Sequence, residues 1–465
     1  VNRFSKLFGG NAKNRTVSRR PVPIFSLACI IYFIIAGGPF STEQAIGKSG
    51  PGLGLLILLV LPLVWCLPVG LMTAELSSAI PEEGGYYVWV KTALGPFAGF
   101  LCAWFSWLAF WVDLALYPLL AVKYVGHLLP GGVVPHSYAW CLLVIAIFTY
   151  VNYRGIQLVG RASEILSVVI LLPFVPLVGF GIAGMFQHGV PHLPLLNPGV
   201  QSSDIGAAVV LGLWNYLGWD SITSASGEIS DAGKKLPVAM LIALGMVTAA
   251  IVLPVGAAVI LEHNWKAWDT DAGYFPQIGA AAWAPLFYAM VVGGTLSNLG
   301  QFAGNMLASS RIPYVLAADR YFPGFIFRAH PKYQTPWVAL LIAAFMSALF
   351  AQERFENLLP VDIALYLAGL LLELAAWVIL RRRRVTEKAS FHLRLKPWLL
   401  GLLVVTPAVV AIAGISLQMQ PQLKLADLSE FHVTPPQLLF LMLASGPAMY
   451  WICRIGAKFW AAKRS

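Results

Sequence analysis

Three carboxylic acids stand where almost every neighbour in the chain is apolar: Asp113, Asp362 and Glu373. A carboxylate removed from water must be paired, protonated or given a cation as ligand. Asp113 has Tyr117 four residues on and Ser106 seven residues back, which places all three on one side of a helix. Trp104, Trp107 and Trp111 fall within a narrow arc on the other side, so the tryptophans are expected to face lipid and Asp113 the interior. The neighbouring hydroxyls could equally satisfy Asp113 without any further role. Asp362, Tyr366, Gly369 and Glu373 follow at spacings of four, three and four, one helical stripe with Glu373 the deeper acid and Asp362 nearer an edge. Desolvation disfavours the charged form of such groups, which makes Asp113 and Glu373 candidates to take up and release a proton.

A further pair of acids lies beside two interruptions. One apolar run meets Gly37-Gly38-Pro39 and resumes through Phe40 to Glu43; another meets Asn215, Tyr216, Leu217, Gly218 and Trp219 before resuming at Asp220. Glycine and proline weaken helical hydrogen bonding, and polar residues at mid-span are expensive unless they line a cavity. Helix resumption after each break points a positive dipole toward the break. Pro39 removes one of the free amides, and Glu43 and Asp220 add negative charge there, so a site built this way favours cations. Phe40, Trp214, Tyr216 and Trp219 supply aromatic faces for an ammonium group. The candidate binding set is therefore Gly37, Gly38, Phe40, Glu43, Trp214, Tyr216, Trp219 and Asp220. Asp220 could instead be a helix N-cap. Glu228 closes a stripe with Asp220 and Ser224, as a gate residue or as a partner of nearby basic groups, and Arg161 with Glu164 has the spacing of an ion pair.

The elements that carry these residues are membrane spans. Hydrophobic residues make up 58% of the 465 positions and charged ones only 11%, against about a quarter charged in a soluble domain. Twelve apolar spans are expected: 22–47, 52–79, 95–128, 138–153, 156–185, 205–229, 237–261, 281–308, 336–352, 359–380, 397–417 and 435–456. The first follows a polar, basic stretch and reads as retained rather than as a cleaved signal. With the N-terminus inside, 26 of the 31 lysines and arginines fall on the cytoplasmic side, which puts both termini there and uses up the net charge of +10 as a topology signal rather than a nucleic-acid footprint. Breaks in spans one and six, corresponding members of two five-helix halves, point to the binding site of an inverted-repeat transporter. The organisation is a basic tail over 1–20, a first repeat over 21–185, a second over 205–384, and two peripheral helices with a cytoplasmic C-terminus over 385–465. The five cysteines show no metal or disulfide spacing, and no nucleotide-binding or catalytic constellation is present; no metal, no cofactor and no enzyme activity is expected.

The chain resembles the amino acid/polyamine/organocation superfamily, most closely its polyamine-uptake branch. The resemblance rests on AGGPFSTEQ from residue 36, LPVGLMTAEL, PEEGGYYVWV and GPFAG up to residue 99, DLALYP at 113–118, NYRG at 152–155, WDSITSASGE at 219–228, SSRIPYVLAADRYFP at 309–323 and GLLLELAAW at 369–377. It implies an all-α LeuT-type fold with broken helices one and six, the site lying between them with helices three, eight and ten around it. It implies transport of a polyamine or related organic cation in the plasma or inner membrane, with an amino acid as the alternative and a non-transporting sensor as a remote one, and with protons as the coupling ion. In amino-acid members the amides at the breaks receive the substrate carboxylate. Two departures stand out. Ile170 occupies the place where many proton-coupled members carry a fifth-helix lysine, and residues 129–137 lack the cysteine that links some members to a heavy chain, so no disulfide-linked partner is expected.

Overall fold

The computed structural model describes residues 20–189, 191–270, 272–418 and 434–462, with side chains to residue 455. Most of the expected basic tail, residues 1–19, and the last three residues lie outside the described range. Among the described residues the secondary structure is helical, apart from one isolated bridge between Arg20 and Ile229. In chain order the helices are α1 (Ile24–Ile35), α2 (Glu43–Ser49), α3 (Pro51–Leu61), α4 (Leu67–Ala79), α5 (Tyr86–Leu94), α6 (Pro96–Gly126), α7 (Ser137–Tyr153), α8 (Ile156–Leu171) and α9 (Phe174–His188). Then come α10 (Ser202–Trp214), α11 (Ala232–Leu261), α12 (Phe275–Ala282), α13 (Pro285–Ser309), α14 (Arg311–Ala318), α15 (Trp337–Phe350), α16 (Phe355–Arg382), α17 (Pro397–Gln418) and α18 (Pro435–Ala462). Seven helical stretches among the described residues are long and apolar enough to cross a bilayer, which makes the chain a polytopic integral membrane protein.

Local sequence explains where these helices interrupt. Pro62 lacks an N–H to give, and residues Pro62–Cys66 form a π turn that joins α3 to α4. Pro173 similarly divides α8 from α9. The sixth apolar run resumes as a 3-10 segment, Ser221–Glu228, instead of an α-helix. Its serines and threonine explain the tighter winding, because each short hydroxyl can return to the backbone three residues back. Thr223 bonds Asp220 O at 2.5 Å and Ser224 bonds Ser221 O at 2.8 Å.

Helix α6 is the axis of the molecule: 89% of its most apolar window is buried, against 22% for α17 and for α18. It packs chiefly between α16 and α13. This corrects the expectation that its tryptophan face meets lipid. Trp104 and Trp107 are each only 5% exposed. Helix α18 covers that face, and Trp104 Nε1 donates to Ser445 Oγ at 2.8 Å. The Arg161–Glu164 pair does not form either; Glu164 turns inward and accepts from the Ser26 hydroxyl of α1.

Candidate functional site

Both breaks are held open by side chains from other helices. At the first, α1 ends at Ile35 and α2 starts at Glu43. Ser297 Oγ of α13 donates to Gly37 O at 2.7 Å, and Asn305 Nδ2 donates to Ile34 O at 3.2 Å. Gly37 has φ +63°, and a β-carbon there would lie 2.8 Å from the Gln301 side chain, so the position needs glycine on both counts. At the second break, Trp65 Nε1 and Trp219 Nε1 both donate to Tyr216 O at 3.0 Å. Gly218, at φ +92°, gives its N–H to Tyr366 Oη of α16 at 3.0 Å. Backbone groups freed in the membrane are thus satisfied by protein, as a bilayer requires.

Between the breaks lies a cavity of about 30 Å³ with Asp113, Asp220, Asp362, Tyr117, Tyr366, Trp214, Phe110 and Asn305 in its walls. The three aspartates arrive from α6, the residue just before the 3-10 segment, and α16. They are 9%, 2% and 4% exposed. Tyr117 Oη donates to both Asp113 oxygens at 2.8 Å and itself accepts from Asn305 Nδ2 at 3.0 Å. The Trp214 indole stands beside Asp113 and Asp362 in the cavity wall and stacks on Tyr117. Tyr366 donates its hydroxyl to Asp220. Asp220 stands at the N-cap position of the 3-10 segment without capping it, so the N-cap reading does not hold; its side chain turns into the cavity wall. Among the described residues, no lysine, arginine or histidine lines this space. The amino acid permease family matches residues 23–439 of this chain.

The chain belongs to that family. Among proteins similar to this permease are the polyamine transporter PUT1 of Oryza sativa subsp. japonica, 34% identical over 85% of this chain and 74% of its own length, and the polyamine transporter RMV1 of Arabidopsis thaliana, 32% identical over 82% and 77%. The serine/threonine exchanger SteT of Bacillus subtilis is more distant, 25% identical over 84% and 88%. The permease is a transport protein and not an enzyme.

The structure sorts the expected residues into four places. Asp113, Asp220 and Trp214 meet at the cavity, and Glu373 lies behind it, 1% exposed, with its carboxyl in contact with Asp220. Gly37, Gly38, Tyr216 and Trp219 build the breaks but are absent from the cavity wall. Tyr216 Oη is turned away onto Leu58 O at 3.0 Å. Phe40 and Glu43 belong to a separate layer. Phe40 packs edge-on against Tyr124 and Phe275, and Glu43 accepts from Tyr124 Oη at 3.2 Å and Tyr274 N at 2.9 Å. The same layer holds the Lys48–Asp269 ion pair at 2.6 Å.

Glu228 lies at the opposite end of the permease. Its carboxylate accepts from Arg311 Nε at 2.7 Å, the two side chains being 4% and 1% exposed. Arg20 N donates to Glu228 O at 2.7 Å, and Ser224 Oγ donates to Ala308 O at 3.1 Å, so the 3-10 segment is stapled to α13, α14 and Arg20 ahead of α1. Glu83, in the turn between α4 and α5, is a second carboxyl beside this pair. Burial, and then the neighbouring Glu228, push its pKa up to about 8 despite the opposing pull of Arg311. Nearby, Glu75 accepts from Trp377 Nε1 at 2.7 Å, from Arg381 Nη1 at 2.5 and 2.7 Å and from His392 Nδ1 at 2.6 Å.

Asn305 and Tyr366 were not among the expected site residues. Ser297, Gln301 and Asn305 recur every four residues in an otherwise apolar run, and that polar stripe was the available signal. Tyr366 was visible only as one member of the Asp362–Glu373 stripe.

Proposed function

We propose that this permease carries a small polyamine across the plasma or inner membrane by alternating access, with the substrate ammonium groups at Asp113, Asp220 and Asp362. The carrying observation is the convergence of three buried aspartates from separate elements on one cavity, with no basic residue in its wall among the described residues. Aromatic faces of Trp214, Tyr117 and Phe110 suit the methylenes and the charge of an alkylammonium chain. An α-amino acid would bring a carboxylate next to these acids, which the arrangement opposes; the polyamine transporters among the relatives favour the same reading. At about 30 Å³ the cavity holds a water or two, so substrate enters only when the helices part.

The architecture that goes with this reading is twelve spans with both termini cytoplasmic. Helices 21–185 and 205–384 form two inverted five-helix repeats, and α17 and α18 are peripheral. Arg311 and Arg381 then mark the cytoplasmic end, where the Glu228–Arg311 pair closes the inner gate, and Glu43 belongs to the outer one. Proton-driven uptake completes the reading.

Uptake of labelled spermidine by the purified protein in liposomes tests it, with unlabelled diamines, serine and lysine as competitors. Competition by diamines and not by serine is the expected result. Serine competing as well as diamines would favour an amino-acid exchanger, and no amine uptake would remove the reading.

A further inference from the structure

The Asp220–Glu373 contact carries an inference that rests on the polyamine reading and goes beyond it. Glu373 is 1% exposed and Asp220 2%, and the two acids are neighbours, Asp220 in the cavity wall and Glu373 behind it. Two carboxylates cannot bond to each other, because neither has a hydrogen to give. Asp220 has a donor of its own in Tyr366. Glu373 has only the weak thiol of Cys102, 3.8 Å from Oε1, and its Oε2 is buried without any protein donor. The groups that face the pair are Tyr86 from α5, Cys102 from α6 and Tyr366 from α16, with no cation among those acting on either acid. Across the cavity Asp113 differs: both its oxygens accept from Tyr117, and Trp214 adds another contact, so its ionised form is already solvated by protein.

We infer that Asp220 and Glu373 together bind one proton, which Glu373 donates to Asp220, and that this proton travels with the substrate. The balance of charge supports co-transport over displacement. With its proton the pair carries one negative charge, which a substrate ammonium group at Asp220 neutralises. Without it the pair carries two, and the loaded site would have to cross the closed, dehydrated state with a net buried charge. Glu373 is outside the cavity wall, so it holds the proton without occupying the substrate's place. On opening to the cytoplasm, water reaches the pair, Glu373 gives up the proton, and the doubly charged pair is hydrated.

Two measurements test this. Wild-type and Glu373→Gln proteins in liposomes are compared for spermidine accumulation under an inward pH gradient and for spermidine counterflow at equal pH. The amide donates to Asp220 as the acid does but cannot release a proton. Loss of gradient-driven accumulation with counterflow retained is expected; accumulation that survives in the variant overturns the inference. Infrared difference spectra of purified Glu83→Gln protein, which lacks the other acid that keeps its proton toward pH 8, are taken across a pH titration as a second readout that does not need the Glu373 variant to fold. A buried carboxylic-acid C=O band that disappears on titration to alkaline pH is expected, and its absence overturns the inference. If the wild type moves no amine at all, the polyamine reading falls, while the infrared band still reports separately on the proton.

Discussion

Glu228 and Glu75, at the arginine-rich end of the permease, are buried as deeply as the acids of the central cavity, yet each lies against a guanidinium. Asp113, Asp220 and Asp362 have hydroxyls, an indole and each other, and among the described residues no basic side chain shares their cavity. An acid with its own arginine is satisfied in the folded protein and has nothing left for a passing solute. An acid without one is an unfinished site, costly in a membrane unless a proton or a substrate cation completes it. On the polyamine reading, the difference separates residues that hold the bundle shut from residues that choose what it carries.

The largest test of that contrast is at Arg311. Arg311→Leu leaves Glu228 buried and unpaired, and should destabilise the protein by about 3–5 kcal/mol, read as a lower melting temperature in detergent. Replacing Glu228 as well should recover most of the loss, and equal melting of the single variant and wild type would mean the pair does not hold this end closed. The neighbouring Glu83 adds a pH dependence of definite sign. Its pKa is raised from about 4.5 to about 8, so the folded protein keeps a proton that the unfolded chain loses. The stabilisation is complete below the unfolded value and is lost as pH rises toward 8. Melting temperature should therefore fall from pH 5 to 9 more steeply in wild type than in Glu83→Gln; parallel curves would contradict it.

Smaller effects are expected where the structure separates residues from the cavity. Glu43→Gln should change spermidine affinity by less than about threefold, roughly 0.6 kcal/mol, and do so equally for charged and uncharged ligands. A selective loss for cations would return Glu43 to the binding site. The exposed Arg383 and Arg384 should tolerate glutamine with stability unchanged within about 0.5 kcal/mol and affinity untouched. Arg381→Gln should behave differently, because Arg381 is tied to buried Glu75. Its role in the fold is structural.

Much of this was readable before any coordinates. Charge in an apolar run has few explanations, which is why Asp113, Asp220 and Glu373 stood out, and the i, i+4 relation of Asp113 and Tyr117 became a hydrogen bond on the face it predicted. Errors arose where tertiary neighbours decide. Glu43 follows the first break closely in sequence, but the chain runs through seven residues before α2 begins, and that carries its carboxyl to Tyr124 and Tyr274 instead of the cavity. The tryptophan face of α6 read as lipid-exposed because helical periodicity cannot tell lipid from another apolar helix, and α18 supplies that helix from more than 300 residues away. Asp362 looked like an edge residue by position along its span, whereas it stands in the cavity wall beside Trp214.

Equilibrium binding of labelled spermidine to purified wild-type and Asp113→Asn protein, with serine as competitor, tests the central claim most directly. A charge-assisted contact is typically worth about 1.5–3 kcal/mol, or roughly ten- to hundredfold in affinity. The account predicts saturable spermidine binding that serine does not displace, and a loss of that size in the variant with its melting temperature preserved. Equal spermidine affinity in both proteins would contradict it, as would serine displacing spermidine from the wild type.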